Sequence, residues 1–159
     1  MKYLNKIVFI NSAALKYAEI PVDGNVHFIG TQGVGKSTLL RTILFFYNAD
    51  KQKLGIPREK KTFDEYYFPY QNSYIVYELQ TETGEFCVLA FKSQGRVAFR
   101  FFDSGYDKKY FLDNEGKAYE TWDKTRETFG KNIGYTKIIS SYEEYRNILY
   151  GNSLKCRNN

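Results

Sequence analysis

The sequence has few of the residues that build disulfide frameworks and metal sites. Of its 159 residues two are cysteine, Cys87 and Cys156, and His27 is the single histidine. The two cysteines lie far apart and do not form a pair with zinc-site spacing. We therefore expect neither a disulfide-stapled scaffold nor a Cys/His metal site, and a reducing cytoplasm is the expected compartment. His27 lies between apolar Val26 and Phe28, so we interpret it as a structural residue beside a strand.

Long apolar runs, internal repeats and low-complexity tracts are also missing. No run reaches the roughly 18 residues of a membrane-spanning helix, and we expect no membrane association. The first ten residues lack the apolar core and cleavage site of a secretory signal. The composition is 43 % apolar and 18 % aromatic, which favours one packed domain over residues 1–150 and a polar tail over 151–159. The net charge of +5 allows an acidic partner such as nucleic acid but does not identify one.

Hydrophobic spacing predicts a helix directly after a glycine-rich loop. Strand-like runs occupy residues 2–10 and 15–20, and a short apolar run at 26–30 indicates a third, buried strand. Apolar residues then recur at helical spacing, namely Leu39, Leu40, Ile43, Leu44 and Tyr47. Strand, loop and helix therefore follow one another in this order.

A β-rich block is predicted after a basic loop at residues 50–61 and a helical turn that begins at Thr62. Alternating runs separated by short turns indicate antiparallel strands, and helices are expected near residues 121–129 and from Ser141 to a stop at Gly151. The expected strands lie at residues 73–81, 86–92, 97–102, 108–113, 117–119 and 136–140. The predicted fold class is therefore a mixed α/β (α+β) fold, with a strand–loop–helix core and an antiparallel β subdomain.

The loop itself reads GTQGVGKST and fits the phosphate-binding pattern G-x-x-x-x-G-K-[ST]. Its glycines allow unusual backbone angles, and its N–H groups and the following helix N-terminus face phosphate oxygens. Lys36 is expected at the β- and γ-phosphates, and Ser37 is expected to ligate Mg²⁺. The sequence thus predicts binding of ATP with Mg²⁺. The predicted nucleotide-binding residues are Gly30, Thr31, Gln32, Gly33, Val34, Gly35, Lys36, Ser37 and Thr38.

Residues for hydrolysis are harder to find than residues for binding. Hydrolysis needs a second acid that holds Mg²⁺ and a group that orients the attacking water. The nearest candidate acid is Asp103, but Arg100 interrupts the apolar run before it and the flanking hairpins indicate an antiparallel strand. We interpret Asp103 as a surface turn residue, and we assign no catalytic residue.

The segment from Lys6 to Phe46 resembles the N-terminal head segment of SMC-like ABC ATPases, including MukB-like, RecF-like and RecN-like proteins. In that family a coiled coil separates this lobe from a C-terminal half that carries the signature motif and the Walker B acids. The resemblance implies a P-loop NTPase half-domain that is incomplete for hydrolysis alone. It also implies a C-terminal half-head or a second head as partner, with dimerisation on nucleotide binding, and DNA maintenance, repair or defence as the process.

The resemblance also places further residues near the nucleotide. Asn11 and Ser12 fall where the family's early turn approaches the base, and Arg58 is the nearest match to an arginine that faces the phosphates, with Lys51 and Lys53 as competitors. The family's common Pro-Asn is replaced by Thr31-Gln32, which should not abolish binding. Neither Gln71 nor Gln94 matches the family's Q-loop glutamine well. DNA contact by the basic loop at residues 51–61 would be independent of sequence and dependent on salt.

Two other functions stay open at this level. A small complete P-loop enzyme such as a nucleotide kinase would need a catalytic acid and an arginine-rich lid, which the β-rich block does not suggest. A non-catalytic module that senses nucleotide would need neither of them. We expect little ATPase activity without a complementing C-terminal segment.

Overall fold

The chain begins with a tight β-hairpin. The computed structural model describes residues 2–22, 35–48 and 62–151. Strands β1 (Tyr3–Ser12) and β2 (Leu15–Pro21) pair in an antiparallel manner. The connecting Ala13 and Ala14 have φ of 54° and 60°. A two-residue hairpin turn of type I′ requires such positive φ values at both of its central residues. The strands predicted at 2–10 and 15–20 are confirmed. The strand predicted at 26–30 and the loop predicted at 50–61 lie outside the described residues.

Three further strands extend this hairpin into one sheet. They are β3 (Tyr74–Thr81), β4 (Gly84–Ser93) and β5 (Arg96–Phe102), as the alternating runs predict. The order across the sheet is β2-β1-β3-β4-β5, and every neighbouring pair is antiparallel. Gln94 and Gly95 form the β4–β5 turn with positive φ, so Gln94 is a hairpin residue as expected.

The sheet is covered on both of its faces. Buried side chains of successive strand residues belong alternately to two separate apolar clusters, because neighbouring side chains of a strand point to opposite sides. Burial on both sides explains why β3 and β4 read as almost continuous apolar runs. The first face carries Ile7, Phe9, Tyr77, Val88, Phe99 and Phe101, and the second carries Val8, Ile10, Val76, Cys87, Leu89 and Phe102.

Helices α1 (Lys36–Asn48), α2 (Thr62–Tyr67) and α4 (Tyr142–Tyr150) cover the first face. The ring centroids of Phe45 and Phe99 lie 5.7 Å apart, and those of Phe99 and Tyr145 lie 4.1 Å apart. The Tyr145 hydroxyl also donates to the Phe46 carbonyl. Aromatic contacts therefore join α1 and α4 over β5 into one layer. The predicted cap of α4 is confirmed, since Ser141 Oγ accepts from the Glu144 N–H at 3.2 Å.

A 3₁₀ helix (Lys108–Tyr110), helix α3 (Trp122–Phe129) and the segment that contains Ile133 and Tyr135 cover the second face, whereas Ile139 further along this segment packs in the cluster of the first face. Helix α3 was predicted, but continuous strands do not form at 108–113, 117–119 and 136–140. The predicted pairing of 108–113 with 117–119 is confirmed only at one antiparallel bridge, Leu112 with Ala118, and the segment 136–140 contributes one bridge, Ile139 with Phe99. Asp107 caps the 3₁₀ helix by accepting from the Lys109 N–H at 3.0 Å, so the chain turns where a strand was expected. The later segment pairs with β5 at two isolated bridges, Phe99 with Ile139 and Phe102 with Tyr135.

The described residues thus form a mixed α+β fold around a five-stranded antiparallel sheet. The mixed class and the antiparallel block were predicted from sequence. The finer prediction, a P-loop NTPase core, depends on a strand at 26–30 and a loop at 30–34 that lie outside the described residues.

Candidate nucleotide site

Helix α1 begins within the glycine-loop motif. Its first residue is Lys36, and the Leu39 N–H donates to the Gly35 carbonyl at 3.0 Å as the first bond of the helix ladder. The N–H groups of Lys36, Ser37 and Thr38 have no carbonyl partner inside the helix, as at every helix start. Gly35 and Ser37 are exposed. The first turn of α1 therefore presents main-chain donors and a hydroxyl at the protein surface.

The electrostatics of this end of α1 favour an anion. No acidic residue occupies the first turn. The peptide dipoles of a 13-residue helix give its N-terminus a partial positive charge. A bound phosphate would thus meet no carboxylate from the helix itself.

Helix α2 holds the first turn of α1 in place. The Tyr67 hydroxyl donates to the Thr38 carbonyl at 3.3 Å, and the same carbonyl accepts from Thr42 Oγ1 at 2.8 Å. Burial raises the pKa of Tyr67, so its hydroxyl stays protonated and remains a donor at neutral pH. The Tyr67 ring lies 4.6 Å from the ring of Phe63, which is itself 4.8 Å from Phe45 of α1. Two contacts thus join these helices.

The turn of the β1–β2 hairpin also contacts α2. The Ala13 N–H donates to the Tyr66 carbonyl at 3.0 Å, one residue before the tyrosine that reaches Thr38. The predicted base-proximal residues Asn11 and Ser12 immediately precede this contact. The residue that follows them, Ala13, and the first turn of α1 therefore both contact one short helix.

Asn11 and Ser12 differ in their surroundings. Asn11 has a positive φ of 48°, its amide donates to the Asn72 carbonyl at 3.4 Å, and its carbonyl accepts from Ser73 Oγ at 2.6 Å. Ser12 is 1 % exposed, and within the described part of the chain its hydroxyl has no hydrogen-bond partner. Asn11 is thus fixed by neighbours, whereas Ser12 carries a buried hydroxyl to which no described residue is hydrogen-bonded.

Asp103 lies near the opposite end of the sheet. It is exposed and follows the end of β5. The register aligns its neighbour Phe102 with Lys6 of β1, through Cys87 of β4 and Glu78 of β3. Six residues separate Lys6 from Ser12, which is about 20 Å along a strand at 3.3 Å per residue. Asp103 is accordingly a surface residue in the turn after β5, as its sequence context indicates, and it is distant from the β1–β2 hairpin turn.

Several predicted site residues lie outside the part of the chain that the structure describes. Gly30, Thr31, Gln32, Gly33, Val34 and Arg58, with the competing Lys51 and Lys53, lie outside the described residues. Sequence reasoning also missed two contacts among the described residues. A helical turn was predicted from Thr62, but the bond of the Tyr66 carbonyl to Ala13 and the bond of the Tyr67 hydroxyl to Thr38 were not. No side-chain pattern in the sequence marks the first bond, because it is made by the main chain.

The described residues contain no group of three or more His, Cys, Asp or Glu side chains arranged to hold a metal ion. None of the helices in residues 2–22, 35–48 and 62–151 combines the length and the apolar content needed to cross a membrane.

Comparison with known proteins supplies a family. No curated protein and no solved structure gives a significant match to the chain. The sequence model of a family described as "Protein of unknown function (DUF3584)" matches residues 9–158, which is almost the whole chain. This family is associated with RecF-, RecN- and SMC-like (MukB-like) proteins. The chain therefore belongs to the DUF3584 family.

Proposed function

We propose that this chain binds ATP with Mg²⁺ at Gly30–Thr38 and is the N-terminal lobe of an SMC-like ATPase head. The observation that carries the proposal is the start of α1 at Lys36, immediately after the glycine loop. In the phosphate-binding pattern the lysine, the hydroxyl residue and the free N–H groups lie at the first helical turn. Family membership over residues 9–158 supports the same assignment.

The packing of α1 supports a fixed position for this turn. Leu39, Phe45 and Phe46 are almost fully buried, and the Tyr77 hydroxyl of β3 donates to the Thr42 carbonyl at 3.0 Å. A helix held along its length presents its end with little freedom. A site that is ordered before binding loses less entropy when the ligand arrives.

The residues at the start of α1 fit a magnesium ion that is bound mainly by its nucleotide. Mg²⁺ takes six oxygen ligands and commonly uses few protein groups, the rest being water and phosphate oxygens. Ser37 supplies one exposed hydroxyl. When bound, the ion would neutralise charge on the β- and γ-phosphates.

Cleavage of the nucleotide requires a second acid that holds Mg²⁺ and a group that orients the attacking water. The acid nearest in sequence context, Asp103, is an exposed residue after β5, about 20 Å along the strands from the hairpin turn that contacts α2. We therefore propose that a C-terminal half-head or a second head completes the site. Nucleotide binding would then drive engagement of two heads, with DNA maintenance, repair or defence as the process.

Nucleotide binding is tested by calorimetry and thermal unfolding with ATP and a non-hydrolysable analogue, with and without Mg²⁺. At a ligand concentration of about 100 Kd, binding should stabilise the folded chain by about 2.7 kcal/mol. For a chain of this size that shifts Tm upward by roughly 5–10 °C. Lys36→Ala should remove the shift, whereas Lys131→Ala, which changes an exposed lysine in another part of the chain, should retain it.

The outcomes separate the proposal from its rivals. No stabilisation by either nucleotide, or an equal shift in Lys36→Ala, contradicts nucleotide binding at this loop. Steady phosphate release by the isolated chain that Lys36→Ala abolishes indicates a complete P-loop enzyme instead. Binding without turnover, followed by turnover when a C-terminal half-head is added, supports the half-head over a module that only senses nucleotide.

A further inference from the structure

A charged residue interrupts the otherwise apolar strand β5. Arg100 lies between Phe99 and Phe101 and points to the second face of the sheet, opposite the layer that contains α1. It is half-buried, and burial lowers the pKa of its guanidinium. A half-buried charge is costly unless something compensates it, so its surroundings show what it can bind.

The surroundings of Arg100 are mainly aromatic. Its guanidinium carbon lies 4.5 Å from the ring centroid of Trp122, and 5.8 Å from those of Phe91 and Tyr135. Its Nη1 donates to the Thr136 carbonyl at 2.9 Å. Across residues 2–22, 35–48 and 62–151, no carboxylate lies within ion-pair distance of it. One carbonyl and three rings thus hold an arginine whose charge has no carboxylate partner in the described chain.

Arg100 lines a half-open cavity of about 240 Å³. Tyr74, Leu89, Phe91 and Trp122 form most of the apolar wall, and Lys92 adds a second positive charge. Glu120 is the single acidic residue of the lining, so cationic side chains outnumber acidic ones. An apolar pocket with a few convergent polar groups is the usual form of a small-ligand site.

We propose that this cavity binds a small aromatic carboxylate, with the carboxylate on Arg100 and the ring against the apolar wall of the cavity. A guanidinium has five N–H donors in a planar fork that matches the two oxygens of a carboxylate. Nη1 already engages the Thr136 carbonyl, which fixes one side of the fork, and no carboxylate of the described residues engages its other donors. The aromatic wall provides apolar and ring contacts for a flat body.

The size and charge of the cavity set the chemical class of the ligand. A volume of about 240 Å³ is below the range of roughly 300–1,000 Å³ that drug-sized ligands occupy, so one ring with a short acidic arm suits it. The single positive excess favours one negative charge over two. This site lies on the other face of the sheet from α1, so the inference does not depend on the proposed nucleotide site.

Trp122 makes the test direct, because it is the only tryptophan of the chain and forms part of the cavity wall. Phenylacetate should change its fluorescence saturably in the intact chain. The neutral analogue phenylacetamide should bind at least about tenfold more weakly, since it loses the charge-assisted hydrogen bonds to the guanidinium. Arg100→Gln should weaken the binding of phenylacetate by a similar factor. Arg100→Lys keeps the charge and should retain part of the affinity for phenylacetate.

Arg96→Gln is the matched control, since Arg96 is an exposed arginine of the same strand that does not line the cavity. It should bind phenylacetate as the parent chain does, and circular dichroism should show that all variants are folded. The inference is overturned if the parent shows no saturable response, or if Arg100→Gln or phenylacetamide binds equally well. It is also overturned if phenyl phosphate binds more tightly than phenylacetate, because the cavity would then be a phosphate site.

Discussion

Two adjacent leucines of α1 provide the sharpest test of how this helix is oriented. Leu39 is 1 % exposed and belongs to the apolar cluster on the first face, whereas Leu40 is 47 % exposed. The same substitution to alanine at both positions removes the same atoms and leaves a good helix former. The difference between the two variants therefore measures burial alone.

The expected magnitudes differ widely. A buried leucine changed to alanine loses about 2–5 kcal/mol of unfolding free energy, because it forfeits both apolar transfer and cavity contacts. For a chain of this size Leu39→Ala should lower Tm by roughly 4–20 °C. Leu40→Ala should stay within about 0.5 kcal/mol of the parent, as surface changes usually do.

Chemical denaturation and thermal unfolding measure both values on the same preparations. An equal loss in the two variants, or a larger loss for Leu40→Ala, would refute the orientation of α1 described above. The start of the helix would then face another direction, and the argument for a surface-presented phosphate site would fail with it. A much larger loss of unfolding free energy in Leu39→Ala than in Leu40→Ala supports both the orientation of α1 and the surface position of its first turn.

Two further predictions concern a hydroxyl and a carboxylate. Tyr67→Phe removes the bond to the Thr38 carbonyl and should cost about 1 kcal/mol, or about 2–4 °C in Tm. Burial and then the neighbouring Glu78 raise the pKa of Glu85. The folded state therefore holds that proton more tightly than the unfolded state, and stability falls as pH rises through the folded-state pKa. Glu85→Gln should flatten this fall and raise Tm at neutral pH, as pH-dependent thermal unfolding would show.

Controls for these two predictions lie in the same chain. Tyr66→Phe changes the neighbouring, exposed ring of α2 and should leave stability almost unchanged. Glu115→Gln alters an exposed acid in a turn and should leave the pH dependence as in the parent. A Tyr67→Phe variant as stable as Tyr66→Phe, or parallel pH profiles for both glutamate variants, would contradict the respective argument.

Local patterns in the sequence predicted most of the secondary structure. The helical spacing from Leu39 gave α1, the alternating runs gave β3 to β5, and Ser141 followed by Glu144 marked the start of α4. These features depend on neighbours a few residues away, which a single sequence displays directly. The segment after Asp107 was mispredicted because a side-chain cap there favours a turn over the strand that its aromatic residues suggest.

Contacts between distant parts of the chain were not predictable in the same way. The bond from Tyr67 to Thr38 joins residues 29 positions apart, and the bond from Arg100 to Thr136 joins residues 36 positions apart. The sequence spacing of either pair does not indicate that the two residues are in contact. The unusual residue itself was visible, however, since Arg100 stood out as a charge in an apolar run. Sequence therefore marked the position, and the packing revealed what surrounds it.

The strand order has a consequence for how the molecule is made. β1 pairs with β3, so Tyr3 meets Gln80 only after the segment from residue 22 to residue 73 has been synthesised. An isolated two-stranded hairpin is marginally stable in water. A nascent chain emerging from the ribosome thus holds its first two strands without their permanent neighbour while the phosphate-loop motif is translated. The pairing of β1 with β3 joins residues that are far apart in sequence, and contacts so distant along the chain form slowly.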